Sequence, residues 1–172
     1  LGDVGRTLAR KCASIGMRVL GHDMKRPDED LVPYRFVPIE SLDSAVAEAD
    51  HVALCLPLTR ETARFMARER LGLMKPSAFL YNVGRGGLVD QDALIESLQK
   101  ARIAGAGLDV TDPEPLPPDS PLWTMPNVLL TQHMGGASPH NSRRIADLFI
   151  ENLRRYANGE PLLNVVDLER GY

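Results

Sequence analysis

The chain has 172 residues, 44% hydrophobic and 25% charged, the balance of an ordinary soluble globular domain with a sizeable core. Lys and Arg number 20 against 23 Asp and Glu, a formal net charge of -3 with no long basic run, which argues against nucleic acid or a membrane as partner. Apolar stretches are strand-sized and none nears the roughly 20 residues of a membrane span, no signal peptide opens the chain, and Cys12 and Cys55 lack C-x-x-C spacing; a cytoplasmic, reducing setting is expected.

The chain opens on "LGDVG", in which Gly2 and Gly5 have the spacing of the second and third glycines of G-x-G-x-x-G, with the first glycine and its strand not present. "RTLARKCASIG" then reads as an amphipathic helix closed by Gly16. "MRVLGHD" is a buried strand ending in Asp23, "MKRPDEDLVP" is turn-rich, "FVPI" is a short strand, and "SLDSAVAEAD" is a helix with Ser41 as N-cap. "HVALCLP" is a strand halted by Pro57, and "RETARFMARERLGLM" is predicted helical. "AFLYNV" is a strand running into "GRGG", "DQDALIESLQKAR" a helix with Ala93, Leu94 and Leu98 on one face, and "IAGAGLDV" a small-residue strand. After a proline-heavy loop, "VLLTQH" is a strand; a long helix runs from Ser138 to a stop at Gly159, and the tail is extended.

Short, continuously apolar strands alternating with helices predict an α/β protein, a doubly wound parallel sheet with helices on both faces. Ligands in such sheets sit at the carboxyl ends of the strands, which here are Asp23, Leu56-Pro57, the 82–86 segment, Asp109 with the loop to Glu114, and His133.

Asp23 lies about 20 residues beyond the glycine turn, where a carboxylate can accept both hydroxyls of an adenosine ribose and repel a 2'-phosphate. NAD is therefore favoured over NADP, although Lys25 and Arg26 stand nearby. Arg85, between Gly84 and Gly86, offers a planar fork of donors suited to a carboxylate. His133 stands at a strand mouth, where an imidazole can move a proton near neutral pH. Glu114, stiffened by Pro113 and Pro115, would stabilise the protonated imidazole and set its tautomer. His22, His51 and His140 read as structural or solvated, and no spacing fits a metal site. G-x-S-x-G and G-x-x-x-x-G-K are both missing, which argues against an α/β-hydrolase or a P-loop enzyme.

Taken in order, "LGDVGRTLARKCASIGMRVLGHD", "ADHVALCLPLTRET", "LMKPSAFLYNVGRGGLVDQDALIESLQKARIAGAGLDVTDPEPLP" and "PNVLLTQHMGGAS" resemble the NAD-binding domain of the D-isomer-specific 2-hydroxyacid dehydrogenases. The resemblance implies a Rossmann-type NAD(P)-binding domain over residues 1–160, truncated at its N-terminus, and an extended segment at 161–172 leading towards a substrate domain outside the chain. It implies that Arg85 grips the substrate carboxylate, that His133 is the general acid/base and that Glu114 partners it. For the cofactor it implies Gly2, Asp3, Val4 and Gly5 at the pyrophosphate, Asp23 at the ribose, and Leu56, Pro57 and Thr62 along the adenosine and phosphates. Val83, Gly84, Asp109 and Gly136, with Arg85 and His133, fall on the nicotinamide side.

The reaction so implied is hydride transfer between NAD(H) and a D-2-hydroxy acid/2-keto acid pair, in a homodimer, with the isolated fragment inactive. Glu114 departs from the related formate dehydrogenases, which carry Gln there, and Gln132 stands where the family often has Pro. An alternative on the same domain is an NAD(H)-sensing interaction protein like the C-terminal-binding corepressors.

Overall fold

The computed structural model describes residues 2–24 and 34–169. The turn-rich segment, with Lys25 and Arg26, lies for the most part outside the described residues. The chain divides into two compact units, Leu1–Gln132 and His133–Tyr172.

In the first unit, Gly2 caps helix α1 (Asp3–Ser14), which ends at Ile15 and Gly16, the glycine taking φ +86°. The helix thus begins three residues earlier than the sequence pattern indicates, and Gly5 and Ala9 are its buried positions. Strand β1 (Leu20–Gly21) pairs in parallel with β2 (Arg35–Phe36), both shorter than the apolar runs that contain them. Helix α2 (Leu42–Glu48) follows a short 3-10 turn; Ser41 holds the N-cap position but makes no side-chain cap bond.

The second sheet is a parallel run in the order β3 (His51–Leu54), β4 (Phe79–Asn82), β5 (Gly105–Leu108), β6 (Val128–Leu130). Register puts Val52, Leu80, Ala106 and Val128 in one row and Leu54, Asn82, Leu108 and Leu130 in the next, all on one face. That face meets Leu42 and Val46 of α2, Leu71 of α3 (Arg68–Leu71) and Ala93, Leu94 and Leu98 of α4 (Gln91–Gln99) in a single apolar core. The two parallel sheets, β1-β2 and β3-β4-β5-β6, have the neighbour pairings found on either side of the central strand in the doubly wound 3-2-1-4-5-6 pattern, with one strand more at the far edge.

The helix expected over 60–74 is a correction, since only Arg68–Leu71 is α-helical. The segment before it spends its backbone on a non-local partner. Arg64 N–H donates to Gly87 O (2.8 Å), Met66 N–H to Leu88 O (2.9 Å), and Met66 O accepts from Asp90 N–H (3.1 Å). Met66 is fully buried, so its apolar character reports a bridge to Val89 and not a helix face.

In the second unit, α5 (Asn141–Ala157) begins after His140 and stops at Gly159, which has φ +70°. Asn152 ties the tail back to α5 by accepting from Leu163 N–H (2.8 Å) and donating to Leu163 O (3.1 Å). Among the described residues no helix is long and apolar enough to cross a membrane.

Candidate active site

The carboxyl edge of the four-stranded sheet is laced by main-chain bonds that continue past the strand ends. Val83 N–H donates to Leu54 O (3.2 Å), Asp109 N–H to Asn82 O (3.0 Å) and Thr131 N–H to Leu108 O (2.9 Å). The Thr131 hydroxyl donates to the Asp109 carboxylate at 2.5 Å, and Asp109 is buried. Val83, Asp109 and Thr131 are thereby held on one edge with the ends of β3, β4 and β5, where the strand ends were expected to carry ligand contacts.

Two loops rise from that edge. The first, after β4, carries Arg85 in an extended conformation (φ -144°, ψ 146°), exposed, its guanidinium donating to Gly84 O at 2.7 Å. The second, after β5, carries Glu114, also exposed. Their backbones touch at Gly86: a Cβ there would stand 1.8 Å from Thr111 O and 2.8 Å from Asp112 N, so only a residue without one fits. Gln91, at the start of α4, accepts from Asp112 N–H through its side-chain oxygen (3.0 Å), and the Thr111 hydroxyl donates to Pro113 O (3.0 Å). The loop bearing the acid is thus pinned against the turn bearing the arginine.

The Leu56-Pro57 segment is close to the same turn, since a Cβ on Gly84 would lie 2.6 Å from Leu56 O. Thr62, nearly buried, closes this segment by donating to Pro57 O (2.7 Å) and accepting from Thr59 N–H (2.7 Å). Cys55 sits just before it, a free cysteine whose thiol is pushed up by burial.

At the other glycine site, Gly2 is exposed and nothing stands within 4 Å of where its Cβ would be. The start of a 12-residue helix, with its first N–H groups without intrahelical partners and open space at Gly2, has the chemistry to take a pyrophosphate. Asp3 and Val4 are exposed in that first turn, Asp3 paired with Arg6 at 3.3 Å, and Gly5 is buried. Asp23 is half-buried just beyond β1, next to His22, whose Nδ1 is 2.9 Å from Val37 O.

His133 and Gly136 belong to the second unit. His133 is exposed with φ +52°, and Gly136 O accepts from the Asn141 side chain at 2.6 Å. Among the described residues no group of His, Cys, Asp or Glu could hold a metal ion.

Asn82 enters the sequence pattern only as part of the 82–86 strand end, and neither the Gln91 side chain nor the close approach at Gly86 has a sequence pattern of its own. Asn82 had a visible signal: it is a polar side chain in an apolar run, two positions after Leu80 and so on the same face of the strand.

The parallel sheet with its helices and its glycine-capped first helix defines a Rossmann-type dinucleotide-binding domain. The sequence profile of the D-isomer specific 2-hydroxyacid dehydrogenase NAD-binding domain matches residues 1–135, and the chain belongs to that family. It is 42% identical over 171 residues to a glyoxylate reductase of Korarchaeum cryptofilum, covering 98% of this chain and 51% of that one. Among solved structures, a D-isomer specific 2-hydroxyacid dehydrogenase from Xanthobacter autotrophicus Py2, in complex with NADPH and MES, superposes with a TM-score of 0.92 at 40% identity, covering 100% of this chain and 70% of that one. D-lactate dehydrogenase with NAD+ from Lactobacillus jensenii gives a TM-score of 0.86 at 31% identity, covering 97% of this chain and 53% of that one. The chain spans about half the length of the curated glyoxylate reductases it matches.

Proposed function

We propose that the whole protein is an NAD-dependent oxidoreductase acting on a D-2-hydroxy acid/2-keto acid pair, a small substrate of the glyoxylate or hydroxypyruvate kind. Residues 1–160 form its cofactor domain, 161–172 lead to a substrate domain, and the enzyme is a cytoplasmic homodimer. The nicotinamide, when bound, supplies the hydride acceptor or donor for the substrate C2. Arg85 holds the substrate carboxylate through paired, charge-assisted hydrogen bonds. His133 takes the hydroxyl proton in oxidation and returns it to the keto oxygen in reduction, and Glu114 stabilises the imidazolium. Gly2 to Gly5 receive the pyrophosphate, Asp23 the ribose, Leu56, Pro57 and Thr62 line the adenosine side, and Val83, Gly84, Asp109 and Gly136 line the nicotinamide side.

The observation that carries this reading is the contact at Gly86, which joins the arginine turn to the acid loop on the ligand-binding edge of a sheet of this family. Preference for NAD over NADP rests on Asp23 after β1; the two solved structures above hold NADPH in one case and NAD+ in the other. The test uses the full-length protein. His133→Ala is expected to lower turnover of 2-keto acids about 10² to 10⁴-fold while leaving NADH affinity in place. Full turnover by that variant removes His133 from the chemistry. A full-length protein that binds NADH but reduces no 2-keto acid is a sensor instead.

A further inference from the structure

Asn82 is the last residue of β4 and 1% exposed, on an otherwise apolar sheet face where Leu54 and Leu108 flank it. A primary amide buried there costs free energy unless its donor and acceptor are met, and a leucine would serve the packing without that demand. Both ends of the amide are met, and by one turn. The side-chain N–H donates to Arg85 O at 2.8 Å, and the side-chain oxygen accepts from Gly84 N–H at 3.1 Å. The main-chain oxygen of the same residue accepts from Asp109 N–H at 3.0 Å, which anchors the turn to the next strand.

These bonds bracket Arg85. The arginine stands between two glycines, so its neighbours supply no side chains to restrict the backbone, and its extended conformation must be held from outside. One amide grips the peptide group before Gly84 and the carbonyl after the Arg85 Cα, while the guanidinium leans back on Gly84 O. We propose that Asn82 is the positioning residue for Arg85, setting the direction in which the guanidinium meets a substrate carboxylate. The inference rests on the reading of Arg85 as the carboxylate-binding residue.

In the full-length enzyme, N82A removes both side-chain bonds. N82D keeps the shape and the acceptor for Gly84 N–H, but its ionised form turns an oxygen towards Arg85 O; protonated, it donates again. Both variants are expected to raise the KM for a 2-keto acid such as glyoxylate about tenfold, the effect of one or two hydrogen bonds. The Kd for NADH should stay within about twofold, separating substrate placement from general damage. The N82D deficit should shrink relative to wild type as the pH falls towards the carboxyl range, which a packing role for Asn82 would not produce in KM alone.

In an R85M background, N82A should add nothing further to KM, because the residue it aims is already gone. An unchanged KM in N82A and N82D, a rise of the same factor with and without Arg85, or loss of cooperative unfolding in both variants overturns the proposal and leaves Asn82 a structural residue. A normal KM in R85M alone removes instead the reading of Arg85 on which it rests, and that result is seen without touching Asn82.

Discussion

Helices α4 and α5 carry the same two signals and meet different fates. Each is amphipathic, and each holds a glutamate clasped by basic neighbours. In α4, Glu96 is hydrogen-bonded by Lys100 and Arg68, which bring its carboxyl down to about 2; in α5, Glu151 is clasped by Arg154 and Arg155 to the same value. Yet α4 buries Ala93, Leu94, Ser97 and Leu98, whereas α5 buries nothing, with Phe149 67% and Tyr156 76% exposed. Their starts differ as well. Asp90 accepts from Ala93 N–H at 3.0 Å, while His140 makes no side-chain cap bond. Apolar periodicity names a helix and its face; it does not say whether that face is buried within these 172 residues.

The largest expected effect that would break this comparison is at Leu94, 1% exposed: Leu94→Ala should cost about 2–5 kcal/mol in urea unfolding of the chain. Gly86→Ala comes next, since its methyl would overlap Thr111 O; a loss of about 1–3 kcal/mol is expected, with displacement of the acid loop visible as altered amide shifts around Asp112. Phe149→Ala should change stability by no more than about 0.5 kcal/mol in the same 172-residue chain. A Phe149 effect as large as that of Leu94 would refute the contrast between the helices.

The smallest effect sharpens the comparison through acid titration. For both glutamates the folded carboxyl lies below its ordinary 4.5, so their stabilisation is present above that value and is lost as pH falls towards about 2. Glu96→Gln should flatten this acid limb in the melting of the first unit, because α4 is part of its core. Glu151→Gln should flatten the acid-induced loss of α5 helicity, read by circular dichroism. An acid limb unchanged by Glu96→Gln would remove the Lys100 and Arg68 clasp from the stability of α4.

Much of this architecture could be read from residue order, and the failures are instructive. "AFLYNV", "IAGAGLDV" and "DQDALIESLQKAR" fold as read because short apolar runs, small-residue runs and helical spacing are short-range signals that the core then accepts. "RETARFMARERLGLM" does not, because Met66 pairs its backbone with Leu88 and Asp90, a preference that no local window contains. The Arg85 turn was legible as a glycine-flanked guanidinium. What holds it was less so: Asn82 bonds Gly84 N–H and Arg85 O within the same turn, but Gln91 and Gly86 meet the loop after β5.

By itself the order of amino acids determined the alternation of strand and helix, the glycine turn ahead of the first helix, and membership of a dinucleotide-binding family. Those properties follow from spacing and turn chemistry over a few residues. Only tertiary structure decided which amphipathic faces are buried and that the backbone at Gly86 presses on the acid loop. Each of these is a contact between residues brought together by the packing of parallel strands.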